Sequence, residues 1–405
     1  MTSQLHGGLT ARERRSWRFH FGSLVQQHAG TKFTRGRRDL SRATSFRTRV
    51  IVDRHVMLLV ATLREELGFK IEKPESLDPR HIHAWARWIN GKREERSLQP
   101  ATLAGYATAI RQLCRWAGKP YLLAVLDRHL AAESTARALT TDRDKTFEGN
   151  GIDVGDAILR AWALEPWVAM ALLAQHGYGL RRRESVCLVP ERDLLQDEGF
   201  VRVKVGAKGG RPRPVPLDGH ELLLIAQQLL DFVRWRNLAT GRPVRAHSPL
   251  APPTQPLKSA LDRYTNVVRA AGLTRSEAGV TGHGLRAGYV CRRLQELGVV
   301  PVVKGGTGRH GDPDQDRIAH LLVSEAVGHS RRNVIGAYAG SPGVRARVLA
   351  SEYLRKNGLL LPGADPRTVE LNALRITDYL AAKKEAAAAP ARSPALPTNG
   401  GTHGI

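Results

Sequence analysis

The 405-residue chain is long enough for two or three domains, and its 42% hydrophobic and 25% charged residues are ordinary for a globular protein. Its charge is not: Lys and Arg number 62 against 38 Asp and Glu, a formal net charge of +24 that points to DNA or RNA as first partner. No apolar run suits a membrane span or a secretory signal, and the three scattered cysteines, Cys114, Cys187 and Cys291, suit neither a disulfide framework nor a tetrathiolate site, so a cytoplasmic protein without membrane association is expected.

Residues 1–44 read as a basic N-terminal arm. The first 64 residues hold thirteen Lys or Arg against three acids, with Trp17, Phe19, Phe21 and Phe33 among them. Such a stretch either follows a phosphate backbone or stays a solvated tail. From 45 to 135 the pattern turns helical. Val50, Ile51, Val56, Met57, Leu59, Val60 and Leu63 recur at spacings that predict one apolar helix face. HIHAWARWING predicts a second helix after Asp78-Pro79, and PATLAGYATAIRQLCRWAG a third with a cap at Thr102. Helices without strands make a small helical domain.

The polar, mixed-charge stretch 136–150 reads as a linker, and a second domain is expected over 151–362. Within it GFVRVKVGAKGGRPRPVPL predicts a hairpin: Val201, Val203 and Val205 alternate before a Gly-rich turn, and Val215 and Leu217 follow it. Elsewhere helices dominate, including an amphipathic one over 344–358. Residues 363–405 read as a further C-terminal helix and an Ala/Pro-rich tail expected to be disordered. The expected fold class is therefore mainly α with a small antiparallel β-sheet (α+β).

Four segments carry candidate chemistry. HGYGLRRRESVCL places Arg181 after Gly179-Leu180, with Glu184 one helical turn on. The hairpin turn holds Lys208, TGHGLRAGYV holds His283 and Arg286, and SEAVGHSRRNVIGAYAG holds His329 and, nine residues later, Tyr338. Taken singly, each reads as a surface or packing residue. As an ordered set they offer what cleavage of a phosphodiester needs: an oxygen nucleophile, fixed positive charge for the non-bridging oxygens and an acid for the leaving group.

Over residues 150–345 this set resembles the catalytic domain of the tyrosine recombinases, the phage-integrase family. The matching pieces are Gly179-Leu180-Arg181 with Glu184, then Lys208, His283-Gly284-Leu285-Arg286, and Gly328-His329 with Tyr338. The preceding helical segment resembles the family's core-binding DNA domain. The resemblance implies a site-specific recombinase that cleaves and rejoins DNA through a 3′-phosphotyrosyl link, without metal, ATP or other cofactor, in integrating or excising a mobile element. Tyr338 is then the nucleophile, Arg181 and Arg286 clamp the phosphate, His283 and His329 contact it or the tyrosine, and Lys208 protonates the 5′ oxygen. Glu184 supports Arg181. The implied partners are double-stranded recombination sites, a homotetramer at synapsis, with the 344–358 helix docking on a neighbouring subunit, and accessory DNA-bending proteins. The implied location is the bacterial nucleoid.

The chain departs from the compact family pattern by an insertion of roughly twenty residues between Arg286 and Gly328, around 299–320. It contains Gly306-x-Gly308-x-x-Gly311, formally a dinucleotide fingerprint, but Asp312-Pro313-Asp314 puts negative charge where a pyrophosphate would sit. GAKGGRPRP lacks the ending of a P-loop, and His81-x-His83 finds no nearby ligand to complete a metal site. Three alternatives stay open: a non-catalytic DNA-binding protein, a type IB topoisomerase-like enzyme using nearly the same residues, and a structural or RNA-binding role.

Overall fold

The computed structural model describes residues 16–34, 37–43, 46–96, 98–130, 140–207, 212–329 and 334–342, in two compact units divided between Ala138 and Leu139. Mainly helical, they include a small three-stranded antiparallel sheet in the second unit. No helix among them is long and apolar enough to cross a membrane. Residues 1–15 of the expected arm, the 344–358 helix and the Ala/Pro-rich tail lie outside the described residues.

The first unit opens with α1 (Trp17–His28), whose N-terminus is capped by Ser16 Oγ accepting from Phe19 N–H at 3.3 Å. Trp17, Phe21 and Val25 recur every fourth residue and are buried. This corrects the reading of residues 1–44 as an arm: two of its aromatics belong to a hydrophobic core, because a four-residue spacing stacks them on one helix face. A hairpin, β1 (Thr31–Thr34) and β2 (Arg37–Ala43), follows where no strand was expected. In α2 (Phe46–Ala61) the core face is Val52, Val56, Leu59 and Val60, continued by Leu63 in a π-helical turn, while Val50 and Ile51 are exposed. The apolar residues there outnumber one face, and the stripe that packs is the one in phase with Leu63.

Helices α3 (Pro79–Arg96), α4 (Pro100–Trp116) and α5 (Leu122–His129) complete this core with Ile82, Trp85, Ile89, Leu103, Ile110, Leu113, Leu122 and Leu126. α4 starts at Pro100 rather than behind a Thr102 cap, because proline at the first position has no N–H to satisfy. His81 and His83 diverge as i,i+2 helical residues must. His81 accepts from Asp78 N–H and lies against Phe69, while His83 stacks on His129 with ring centroids 4.1 Å apart.

The second unit is built around α7 (Pro166–Tyr178), buried on nearly every side. Around it stand α6 (Val154–Leu164), α8 (Arg182–Val186), α10 (His220–Ala239), α11 (Leu257–Ala270) and α12 (His283–Glu296), and their buried residues form one cluster. After the short α9 (Pro190–Asp193) comes a sheet of β3 (Leu194–Leu195), β4 (Phe200–Val203) and β5 (Arg213–Pro216), in that order. Val201 pairs with Val215 and Val203 with Arg213, all facing inward. Val205 breaks the expected alternation: the strand ends at Val203, and Val205 sits exposed in the turn.

Segment 140–150, expected as part of a linker, belongs to this unit. Thr146 and Phe147 are buried, and Thr141 N–H donates to Gly336 O at 2.9 Å. Polar side chains that bond locally, such as Asp144 accepting from Thr146 N–H at 2.8 Å, give a packed segment the composition of a loop. The insertion forms a 3-10 turn at Val302–Lys304 and then α13 (Pro313–Ala326). The element directly before Gly306 is that 3-10 turn and not a strand, and Asp312 already caps α13 by accepting from Asp314 and Gln315 N–H, so its N-terminus is occupied. Last among the described elements is α14 (Gly336–Ala339).

Candidate active site

α7 ends at Gly179, whose φ of +59° and close approach to the Tyr289 ring leave no room for a side chain. The chain turns there and presents Arg181 as N-cap of α8. One turn on, Glu184 reaches back: Oε2 accepts from Arg181 N–H at 2.8 Å and Oε1 from Arg181 Nη1 at 2.7 Å. Glu184 is 1% exposed and also accepts two bonds from Arg213, at 2.9 and 2.7 Å. Burial pushes its carboxyl upward, but the Arg213 hydrogen bonds and charge, then Arg181, outweigh it and hold the pKa at about 2. A buried carboxylate with this many charge-assisted donors stays ionised.

Arg213 Nε donates to Ala326 O at 2.8 Å, tying β5 to the end of α13. At the next residue, Val327 O accepts from Arg181 Nη2 at 3.2 Å and from Arg286 Nη2. Gly328 then turns with a φ of +66°, and a Cβ there would press on Arg213 and Arg181. Behind this turn His329 is held by its N–H on Ser324 O and its carbonyl on Ser324 Oγ.

Arg286, one helical turn after His283 on α12, is fully buried. Its Nη1 donates to Gly179 O, its Nη2 to Val327 O, and its Nε to Tyr338 Oη at 3.1 Å. Three of the five N–H groups expected to serve as a phosphate fork are thus engaged within the protein, one of them on the tyrosine itself. Its guanidinium also lies 5.7 Å from the Tyr338 ring centroid.

Tyr338 sits on α14 and is buried, with His329 Nε2 at 3.5 Å from its hydroxyl and the His283 ring centroid 5.6 Å from its own. His283 is exposed as a residue, yet crowding around its ring, then Arg286, Arg181 and Lys145, push its pKa down to about 4. It is thus neutral at pH 7, with one ring nitrogen able to accept a proton. A cavity of about 350 Å³ opens beside the two, lined by Arg143, Lys145, Arg275, His283 and Tyr338. A larger one of about 640 Å³, reaching Arg182, Arg269 and Arg275, shares His283. Cations thus line both openings.

The fold brings Arg181, Glu184, His283, Arg286, His329 and Tyr338 together across three sequence segments, while Lys208 lies outside the described residues. Two nearby cations escaped the sequence reading. Lys145 stands in the expected linker. Arg213 carried a signal: it alternates in phase with Val215 and Leu217, which marks it as inward-facing.

Residues 153–292 match the family model described as Integrase. Among solved structures, a lambda integrase dimer bound to a COC′ core site is 17% identical, over 75% of this chain and 91% of that one, with a TM-score of 0.42. A lambda integrase tetramer bound to a Holliday junction is 15% identical over 72% and 71% of the two chains, TM-score 0.41. XerA recombinase is 15% identical over 82% and 98%, TM-score 0.30. No curated protein sequence matches the chain.

Proposed function

We propose that this chain, whose residues 153–292 match the Integrase family model, is a tyrosine recombinase that recombines DNA at specific sites through a 3′-phosphotyrosyl bond to Tyr338. The observation that carries the reading is the contact of buried Arg286 Nε with Tyr338 Oη at 3.1 Å, inside a cluster that also holds Arg181, His283 and His329. A guanidinium on the phenol oxygen holds the nucleophile in place and sets a fixed positive charge beside the atoms that would react.

In the proposed step Tyr338 Oη attacks phosphorus and its proton passes to the imidazole of His283 or His329. The bond to the 5′ oxygen breaks, and that oxygen takes a proton from Lys208. Arg181 and the N–H groups that Arg286 retains stabilise the charge gathering on the non-bridging oxygens. The phosphotyrosyl ester keeps the energy of the broken bond, so attack by a 5′ hydroxyl from a partner strand reverses the step without ATP. Double-stranded DNA sites, a tetramer at synapsis and accessory DNA-bending proteins are the partners that follow from this reading, integration or excision of a mobile element its setting, and the bacterial nucleoid its place of action.

The test is a covalent trap. The protein is incubated with a supercoiled plasmid carrying the DNA that flanks its gene, then denatured with detergent. The wild type should leave a protein–DNA adduct and Tyr338→Phe none, with DNA binding intact. An adduct that survives Tyr338→Phe would refute Tyr338 as nucleophile, and relaxation without strand exchange between paired sites would favour a topoisomerase.

A further inference from the structure

Resting on this function, we propose that the insertion after α12 is a brace for the nucleophile helix, with Lys304 its positioning residue. Lys304 leaves the 3-10 turn Val302–Lys304 and reaches segment 140–150. There its Nζ lies 2.8 Å from Asp144 Oδ2 and 2.9 Å from Thr146 Oγ1. All three groups are at least half-buried. Burial pushes the Asp144 carboxyl up, but the Lys304 hydrogen bond and those from Thr146 bring its pKa below the usual carboxylate value.

From this anchored segment two bonds run to the two carbonyls that precede Tyr338. Thr141 N–H donates to Gly336 O at 2.9 Å, and Lys145 Nζ to Ala337 O at 3.3 Å. Val302 closes the same helix from its C-terminal end: a Cβ on Gly340 would lie 3.0 Å from Val302 Cβ and 3.2 Å from Thr141 O.

A four-residue helix such as α14 cannot hold itself, since it forms scarcely one turn of its own hydrogen bonds. Its place is set by what grips it. The insertion supplies one grip directly, through Val302, and a second at one remove, through Lys304 and the 141–146 segment. Together they fix the height of Tyr338 Oη against Arg286. Neither Val302 nor Lys304 lines the cavity beside Tyr338.

Two readouts on the full-length protein test the brace. Lys304→Met keeps the length of the side chain and removes its charge. Hydrogen exchange should quicken about tenfold at residues 141–146 and 336–340, as expected for losing one charge-assisted contact, while α7 stays unchanged. With the flanking-DNA plasmid, the single-turnover rate of adduct formation should fall about tenfold at an unchanged half-saturating DNA concentration. Lys304→Arg should restore both. Exchange that stays at the wild-type rate, or rises evenly through the unit, would overturn the proposal, as would a variant whose half-saturation shifts with its rate. The exchange arm needs no DNA, so it separates failure of the brace from failure of the recombinase reading, which the Tyr338→Phe trap decides.

Discussion

Glu184→Gln is the most revealing single substitution in the second unit. The carboxylate is 1% exposed and accepts from Arg213 twice and Arg181 twice, with Arg286 Nη1 at 4.0 Å. Glutamine keeps one carbonyl acceptor but replaces the other oxygen with an amide NH2, which faces guanidinium donors and can accept from none of them. Removing one partner of a buried ion pair costs about 3–5 kcal/mol, because the charges left behind are neither solvated nor balanced. For a unit of this size each kcal/mol shifts the midpoint by about 2–4 °C, so calorimetry should show its transition lower by about 6–20 °C. The coupling can be isolated. Arg213→Met should also destabilise, but the double variant by clearly less than the sum, since each change removes the reason the other hurts. A Glu184→Gln transition within about 2 °C of the parent, or strict additivity with Arg213→Met, would refute the claim that this carboxylate holds the arginines in place.

Two further expectations follow. The unit should lose stability in acid in a defined window. Glu184 has a pKa near 2 in the fold against an ordinary 4.5, so its contribution is complete above 4.5 and lost as pH falls toward 2. His283 is lowered to about 4 and His176, by burial and then Arg292, to about 3, both from 6.5. The unfolded chain takes up those protons first, so stability declines as pH drops below about 6.5. Urea titrations from pH 2 to 8 should show stability rising to about 6.5 and then level, with the lowest part of the slope missing in Glu184→Gln. In the first unit, Phe21→Ala should cost about 3–5 kcal/mol by leaving a cavity under a fully buried ring. If DNA affinity fell while the urea midpoint stayed put, Phe21 would be a docking residue after all.

Much of this protein is legible along its chain. The ordered set from Arg181 to Tyr338 stands out along the chain because few residue types suit phosphoryl transfer, and a residue type is visible without a structure. The helices of both units follow from apolar periodicity, and the inward phase of β4 and β5 from alternation. The misreadings share one cause. Trp17 and Phe21 sit among arginines, so local charge suggested a phosphate partner, whereas four-residue spacing had already put them on a core face. Segment 140–150 looks like a linker because its polar groups bond one another, and nothing in its composition announces that Gly336 O awaits Thr141 N–H.

What only the tertiary structure decided is which partner each side chain meets. Periodicity says that Arg213 points inward; that it meets Glu184, 29 residues away, depends on how β5 lies against α8. Motif order names Arg286 as a phosphate ligand, but packing buries it against Gly179 O, Val327 O and Tyr338 Oη. The insertion around 299–320 has no reading in the sequence, since Val302 and Lys304 acquire meaning only where they touch Gly340 and Asp144. A sequence carries the local rules of which face turns inward and which chemistry is on hand. Contacts between distant segments depend on the whole chain packing at once, and those contacts place Tyr338.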